Sequence, residues 1–592
     1  MTTESITTSL APWRQTKPRG INSRSADATT GPLKPLPEQR CGRSLPASRR
    51  HGRRLLPLVL LAIAHLNGPA IAQNVGALLG ASSKGGVGTA RFDLLEATVP
   101  QMLHAMQTKL ITSEMLVEMY YARISAYDVA GPTLNSFMHV NPNAAAEARQ
   151  LDALRSPGKA RLPLYGIPVL LKDNVNTADM PTTAGSVALA GSIPDTDAFI
   201  TQKLRAAGAV IIGKATLTEF ANFLTSGMPA GYSSWGGYGL NPYDPRPLPG
   251  GDGRPVLTPG GSSSGPGIAM AANLAAVAIG TETSGSILSP ANANGVVGIK
   301  PTVGLVSRTG IIPITADQDT AGPITRTVTD AAILLGVVAG YDPADPATEA
   351  CLQPGVCFED YTQFLDKKAL IGARIAVPPS TSLIVSNAIV VLRQQGAYVE
   401  MIPALAGVTV PGVLNYGFKR DLNAYLATLP ASWPRRTLAD IIAFNAVTPG
   451  ALKYGQIQAI ASEALDLTPG SLNTLTYLNN YAAGIKLSRG ILDSVYNGPD
   501  GIPGNADDFD ALLNPGAGTP ARAGYPSVTV PGGFLPPTGA VANPIPGNVV
   551  FSGPAFSEPR LIALGYAFEQ ATMYRRPPAS TPPLPTDSVR RP

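Results

Sequence analysis

Short aliphatic runs set between helix-patterned segments constrain this chain more than any other feature. Residues 165–171 (YGIPVLL) and 209–212 (AVII) are β-rich and bounded by glycine or charged residues. With no polar alternation, they read as strands buried on both faces. A second unit follows: strand 374–377, helix 384–395, strand 398–402. Helical spacing runs through 92–110 and again after 113, where Leu116, Met119, Tyr120 and Ile124 share a face. Alternation on this scale predicts an α/β fold, a largely buried sheet covered by helices. Residues 412–486 read as mostly helical, and the glycine- and proline-rich stretch 231–261 as an extended loop, part of a binding rim or inert.

Charge narrows the function. The net charge of +5 comes from the front, where residues 1–72 hold eleven Lys/Arg against three Asp/Glu. The remainder is about −3, with no long basic run, so nucleic acid is not an expected partner. Arg49, Arg50, Arg53 and Arg54 precede an apolar run over 55–66 that ends in Ala70-Ile71-Ala72. That order describes a secretory signal cleaved after Ala72, too short for a permanent membrane span. A secreted or periplasmic protein is expected, organised as extension and signal over 1–72, linker over 73–91, enzyme domain over 92–575 and a loose proline-rich tail over 576–592. Export suits the two cysteines left beyond the leader, Cys351 and Cys357, which are six positions apart and either pair or remain free thiols.

Several chemistries are poorly served. Beyond the leader only His104 and His139 remain, both in apolar surroundings, which disfavours a histidine-based triad or a histidine-rich metal site. Residues 208–214 (GAVIIGK) mimic a phosphate loop, but Ala215 follows the lysine and the four intervening residues are strand-like. Residues 497–508 carry oxygen ligands without the calcium-loop spacing, so they read as a solvated turn. The informative segment is 260–301. It opens Gly260-Gly261-Ser262-Ser263-Ser264-Gly265, passes an alanine-rich stretch over 268–279 read as a packed helix, and reaches Gly280-Thr281-Glu282-Thr283-Ser284-Gly285-Ser286-Ile287. Such glycine and serine density lets backbone amides approach a ligand, as stabilising an oxyanion requires, and also suits close helix packing alone.

These stretches resemble the amidase signature family of Ser-Ser-Lys hydrolases. The likeness combines GGSSSG, a second serine 24 residues later in GTETSGSI, GVVGIKPT at 295–302, and a lysine in GIPVLLK ending at Lys172. QDTAGP at 318–323 and AGYP at 523–526 extend it over about 93–575, and within the family the wording is most similar to bacterial peptide amidases. The resemblance implies one large domain with a mixed twisted sheet, covered by helices on both faces. It also implies Ser286 as nucleophile, Ser262 as bridging serine behind a cis Gly261–Ser262 bond, and Lys172 as general base. Backbone N–H groups of Thr283, Ser284, Gly285 and Ser286 would form the oxyanion hole. A lysine serves as base only when neutral, and burial at a strand end can lower its pKa by roughly 3 to 5 units.

Two departures are Ser284, where many relatives have glycine, and Ile287-Leu288, which replaces a frequent Ile-Arg pair. No metal or organic cofactor is implied, and the expected partner is a small-molecule or peptide amide. Alternatives are an aryl or aliphatic amidase or esterase, a glutamine amidotransferase-type subunit, and a non-catalytic exported binding protein. Lys419, Arg420, Asp421 and Tyr425 are candidates for the pocket by position.

Overall fold

Parallel strands buried at every residue form the centre of the computed structural model, which describes residues 90–156 and 162–591. The expected leader, its expected cleavage point after Ala72 and Cys41 lie outside the described residues. In chain order the strands of the large sheet are β1 (Phe137–Val140), β2 (Pro168–Lys172), β3 (Val210–Ala215), β4 (Val277–Glu282), β5 (Val297–Lys300) and β6 (Thr320–Thr325). They continue with β7 (Arg374–Val377), β8 (Tyr398–Met401), β9 (Ala511–Leu513), β10 (Ser527–Leu535) and β11 (Ile545–Ser552). Across the sheet they run β8-β7-β9-β11-β10-β5-β6-β4-β2-β3-β1. Pairs β2–β3, β2–β4, β7–β8 and β7–β9 are parallel and the others antiparallel, so the sheet is mixed as expected. Successive side chains of a strand point to opposite faces. Complete burial of β2, β3 and β4 therefore means that both faces are covered there.

Three expectations are corrected. The alanine-rich stretch is not one helix: a helix spans Ser264–Ala271, Asn273 turns left-handed at φ +55°, and β4 begins at Val277. Alanine fits a buried helix and a buried strand alike, so composition did not mark the break. The chain after 576 is not loose. Ser588–Arg591 pairs antiparallel with Ala90–Asp93, across the boundary expected between linker and enzyme domain. Arg123, fully buried, binds Asp587 at 2.6 Å and donates to the carbonyls of Thr581 and Pro582. Removing one partner of a buried pair strands the other charge, so Asp587→Ala is expected to cost about 3–5 kcal/mol of stability, read from denaturant midpoints. An unchanged midpoint would mean that the tail is dispensable.

The glycine- and proline-rich loop is also more ordered than its composition suggests. It holds a short hairpin, Tyr232–Ser233 with Gly237–Tyr238, and its tyrosines pack with Tyr454 around Lys453 Nζ, 4.7 Å from the Tyr238 ring. Cys351 and Cys357 are disulfide-bonded. Among the described residues, no helix is long and apolar enough to cross a membrane.

Candidate active site

Strand β2 delivers Lys172 at its C-terminal end, and β4, in parallel register with it (Leu171 beside Ile279), delivers Thr281 from the neighbouring end. Sites at the carboxyl ends of parallel strands are the rule for sheets of this kind. Lys172 has no exposed surface. Its Nζ lies 2.8 Å from Ser262 Oγ, 2.8 Å from Thr281 Oγ1 and 3.3 Å from the Thr281 carbonyl. Burial pushes the amine down to about 7, against the opposing pull of the Asp319 and Glu282 carboxylates.

Ser262 sits in the tight loop before the Ser264–Ala271 helix, behind a cis Gly261–Ser262 peptide bond. Its neighbours explain the serine run. Ser263 Oγ donates to the Thr281 carbonyl at 3.0 Å and accepts from the Thr281 N–H, stitching the loop to β4, while Ser264 Oγ donates to the Gly260 carbonyl. Glycine is required at 265, where a Cβ would stand 2.4 Å from the Thr216 carbonyl. The structure thus brings Lys172 and Ser262 into direct contact. Ser286 comes alongside through its backbone, its carbonyl accepting from the Ser263 N–H at 3.1 Å. The Ser286 hydroxyl makes no hydrogen bond to another described residue, Ser262 included.

The 283–288 loop differs from expectation at one amide. Buried Glu282 accepts from the N–H groups of Gly285 (2.7 Å), Ile287 (2.7 Å) and Leu288 (3.0 Å). A buried carboxylate needs donors, and this one takes the Gly285 N–H out of the predicted oxyanion set. The N–H groups of Thr283, Ser284 and Ser286 bind no described acceptor. Ser284 is exposed, whereas Ile287 and Leu288 are buried, so the Ile-Leu pair packs inward.

Beside this loop a cavity of about 320 Å³ reaches Thr281 and Thr283; the hydroxyls of Ser262 and Ser286 do not line it. Its wall is mainly apolar, from Ile311, Ile312, Pro313, Ile314 and Ala424 among others. The charged groups in that wall already have partners. Arg308 binds Asp345 through two nitrogens, and Asp421 holds Arg420. Asp319 accepts from Thr283 Oγ1 and from the N–H groups of Ile314 and Thr315, yet burial raises it to about 7. Of the residues named from position, Asp421 and Tyr425 line the cavity; Lys419 instead turns to the Glu463 and Leu465 carbonyls. No residue of 231–261 lines it, so the expected rim is not there. His139 lies on β1 with its buried Nε2 unpartnered, and His104 is exposed; neither contacts Lys172, Ser262 or Ser286.

Sequence reasoning missed Asn174, Thr281, Glu282, Gln318 and Asp319. Thr281 and Glu282 stand inside the GTETSGSI motif, and the signal available was a carboxylate surrounded by small residues. The others became visible only through contacts between distant segments.

Comparison with known proteins places the fold in a family. A family model described as Amidase matches residues 115–396. A protein of Arabidopsis thaliana named as a probable amidase is 40% identical over 507 residues, covering 82% of this chain and 92% of its own. The chain belongs to the amidase family, whose members are amide-hydrolysing enzymes. The crystal structure of native peptide amidase from Stenotrophomonas maltophilia superposes with a TM-score of 0.71 at 40% identity, covering 82% of this chain and 98% of that one. A subunit of the glutamyl-tRNA(Gln) amidotransferase of Microcystis aeruginosa is 32% identical, over 82% of this chain and 99% of its own.

Proposed function

We propose that the chain releases ammonia from carboxamides, with C-terminal peptide amides as substrates, through a Ser286-Ser262-Lys172 relay. The observation that carries the reading is a buried lysine, its pKa near 7, whose Nζ lies 2.8 Å from Ser262 Oγ. A serine hydroxyl becomes an effective nucleophile only beside a base, and a half-neutral amine at physiological pH supplies one. On substrate binding the Ser286 hydroxyl turns onto Ser262 Oγ. As Ser286 Oγ attacks the amide carbon, its proton passes to Ser262 while the Ser262 proton passes to Lys172. The tetrahedral oxyanion forms against free backbone N–H groups of the 283–286 loop. Collapse breaks the C–N bond, and a proton returns through the relay to the leaving ammonia. Water then cleaves the Ser286 ester by the same transfers.

The cavity favours peptide amides over free glutamine. Recognising glutamine calls for a cation at its carboxylate, and Arg308 in the wall is already committed to Asp345 and the Ala316 carbonyl. Export past residue 72 is part of the same proposal, supported by the arginine-flanked apolar run at 55–66 and the Cys351–Cys357 bridge.

The test is ammonia release by purified enzyme from a C-terminally amidated peptide, from glutamine and from an aryl amide. Release from the peptide amide, exceeding the others in kcat/KM, is expected. Glutamine as the preferred substrate would favour an amidotransferase-type activity, and silence on all three would sink the reading.

A further inference from the structure

An amide's C=O and N–H point to opposite sides of one rigid plane, so whatever holds the carbonyl also aims the hydrogen. That rule sorts the nucleophile loop. The 284–285 peptide has its N–H turned onto Glu282, and the 286–287 peptide is held at both ends, by Ser263 N–H and by Glu282. Two planes remain with a fixed carbonyl and a free N–H. In the 285–286 peptide the Gly285 carbonyl accepts from the Ser289 N–H at 2.7 Å, leaving the Ser286 N–H unbonded. In the 283–284 peptide the Thr283 carbonyl accepts from Gln318 Nε2 at 2.6 Å, leaving the Ser284 N–H unbonded.

The two anchors differ in kind. Ser289 belongs to the turn that opens the following helix, so the Ser286 N–H is aimed by local backbone. The Ser284 N–H depends on one side chain reaching across from residue 318. Gln318 is buried, and the adjacent Asp319 accepts from the Thr283 hydroxyl, so the same residue of the loop is gripped at its carbonyl and at its side chain.

We infer that Gln318 is a positioning residue of the oxyanion hole: its carboxamide holds the Thr283 carbonyl so that the Ser284 N–H, with that of Ser286, faces the oxyanion. This rests on the proposed Ser286 chemistry. It leaves the N–H groups of Thr283, Ser284 and Ser286 as the free donors and makes one of them, that of Ser284, conditional on a side chain outside the 280–287 stretch. An oxyanion donor acts on the transition state rather than on bound substrate, so its loss falls on kcat.

The experiment compares wild type with Gln318→Met, similar in size but without a donor, and with Gln318→Asn, which is one methylene too short to reach. Steady-state ammonia release from an amidated peptide is measured beside inhibition by a peptide aldehyde. The aldehyde's adduct with Ser286 carries an oxygen where the amide oxyanion forms. The expected result is a kcat lower by about 10- to 100-fold, KM within about twofold, and an aldehyde inhibition constant raised by a similar factor. Should Gln318→Met fail to fold, Gln318→Asn carries the same test. An unchanged kcat, or a loss found wholly in KM, would overturn the inference. Ser286→Ala, run in parallel, separates the two claims. If it is silent while Gln318→Met matches wild type, only the role of Gln318 falls; if it stays fully active, both claims fall.

Discussion

Ser286→Ala is expected to lower kcat for an amidated peptide by on the order of 10⁴ to 10⁶, with the protein folded and its melting temperature within a few degrees of wild type. The alanine removes the atom that bonds to the acyl group, and no neighbour replaces it. Among the described residues Cys351 and Cys357 are tied in a disulfide, and His104 and His139 make no hydrogen bond to Lys172, Ser262 or Ser286. If Ser262 and Ser286 serve the same proton transfer, as proposed, the double variant Ser262→Ala with Ser286→Ala should be no slower than Ser286→Ala alone. Groups that act as one unit do not contribute additively. Ammonia release under single-turnover conditions reads both. Residual activity within tenfold of wild type in Ser286→Ala would falsify its assignment as nucleophile.

Why those three residues were legible in the sequence, and others were not, follows from where their meaning lies. Strands β2 and β3 announced themselves because burial on both faces leaves no polar alternation, but Lys172, a charge at the end of such a run, reads by itself as a lysine reaching solvent and takes its role only from the family resemblance. Ser262 and Ser286 gained roles only through the motifs around them, since a serine in a glycine-rich turn is otherwise a packing residue. Gly285 was placed in the oxyanion set by its position; the structure assigns its N–H elsewhere because Glu282, three residues before, needs it. Thr281 is 109 residues from Lys172, Gln318 is 35 from Thr283, and Asp587 is 464 from Arg123. Their parts are set by strand order and loop crossing, which no local pattern encodes. Alanine's tolerance of both helix and strand hid the break at Asn273 for the same reason: the deciding interaction, the Glu96 N–H on the Asn273 side chain, comes from 177 residues away.

The pH dependence tests the base. With Lys172 held near 7 by burial, the neutral amine predominates above that value and the ammonium below it. Wild-type kcat/KM is therefore expected to be flat above pH 8 and to fall tenfold per unit below about pH 7. A limb near 10 would mean that the base keeps the ordinary pKa of a solvated lysine. Lys172→Met, lacking the proton acceptor, should lose about 10²- to 10⁴-fold in kcat/KM and lose that limb. Lys172→Arg is the sharper comparison. It keeps a cation at the end of β2, but a guanidinium with its pKa above 12 does not give up its proton in this range. If position 172 acted by charge, arginine would rescue; if it acts as a base, arginine should be as slow as methionine. Asp319→Asn sets the direction of the remaining electrostatics. The Asp319 carboxylate raises the Lys172 pKa, so its removal should move the acid limb to lower pH even where the Ile314 and Thr315 N–H groups, now facing an amide NH2, disturb the loop and slow the reaction. An unchanged limb would place Asp319 outside the field of the base.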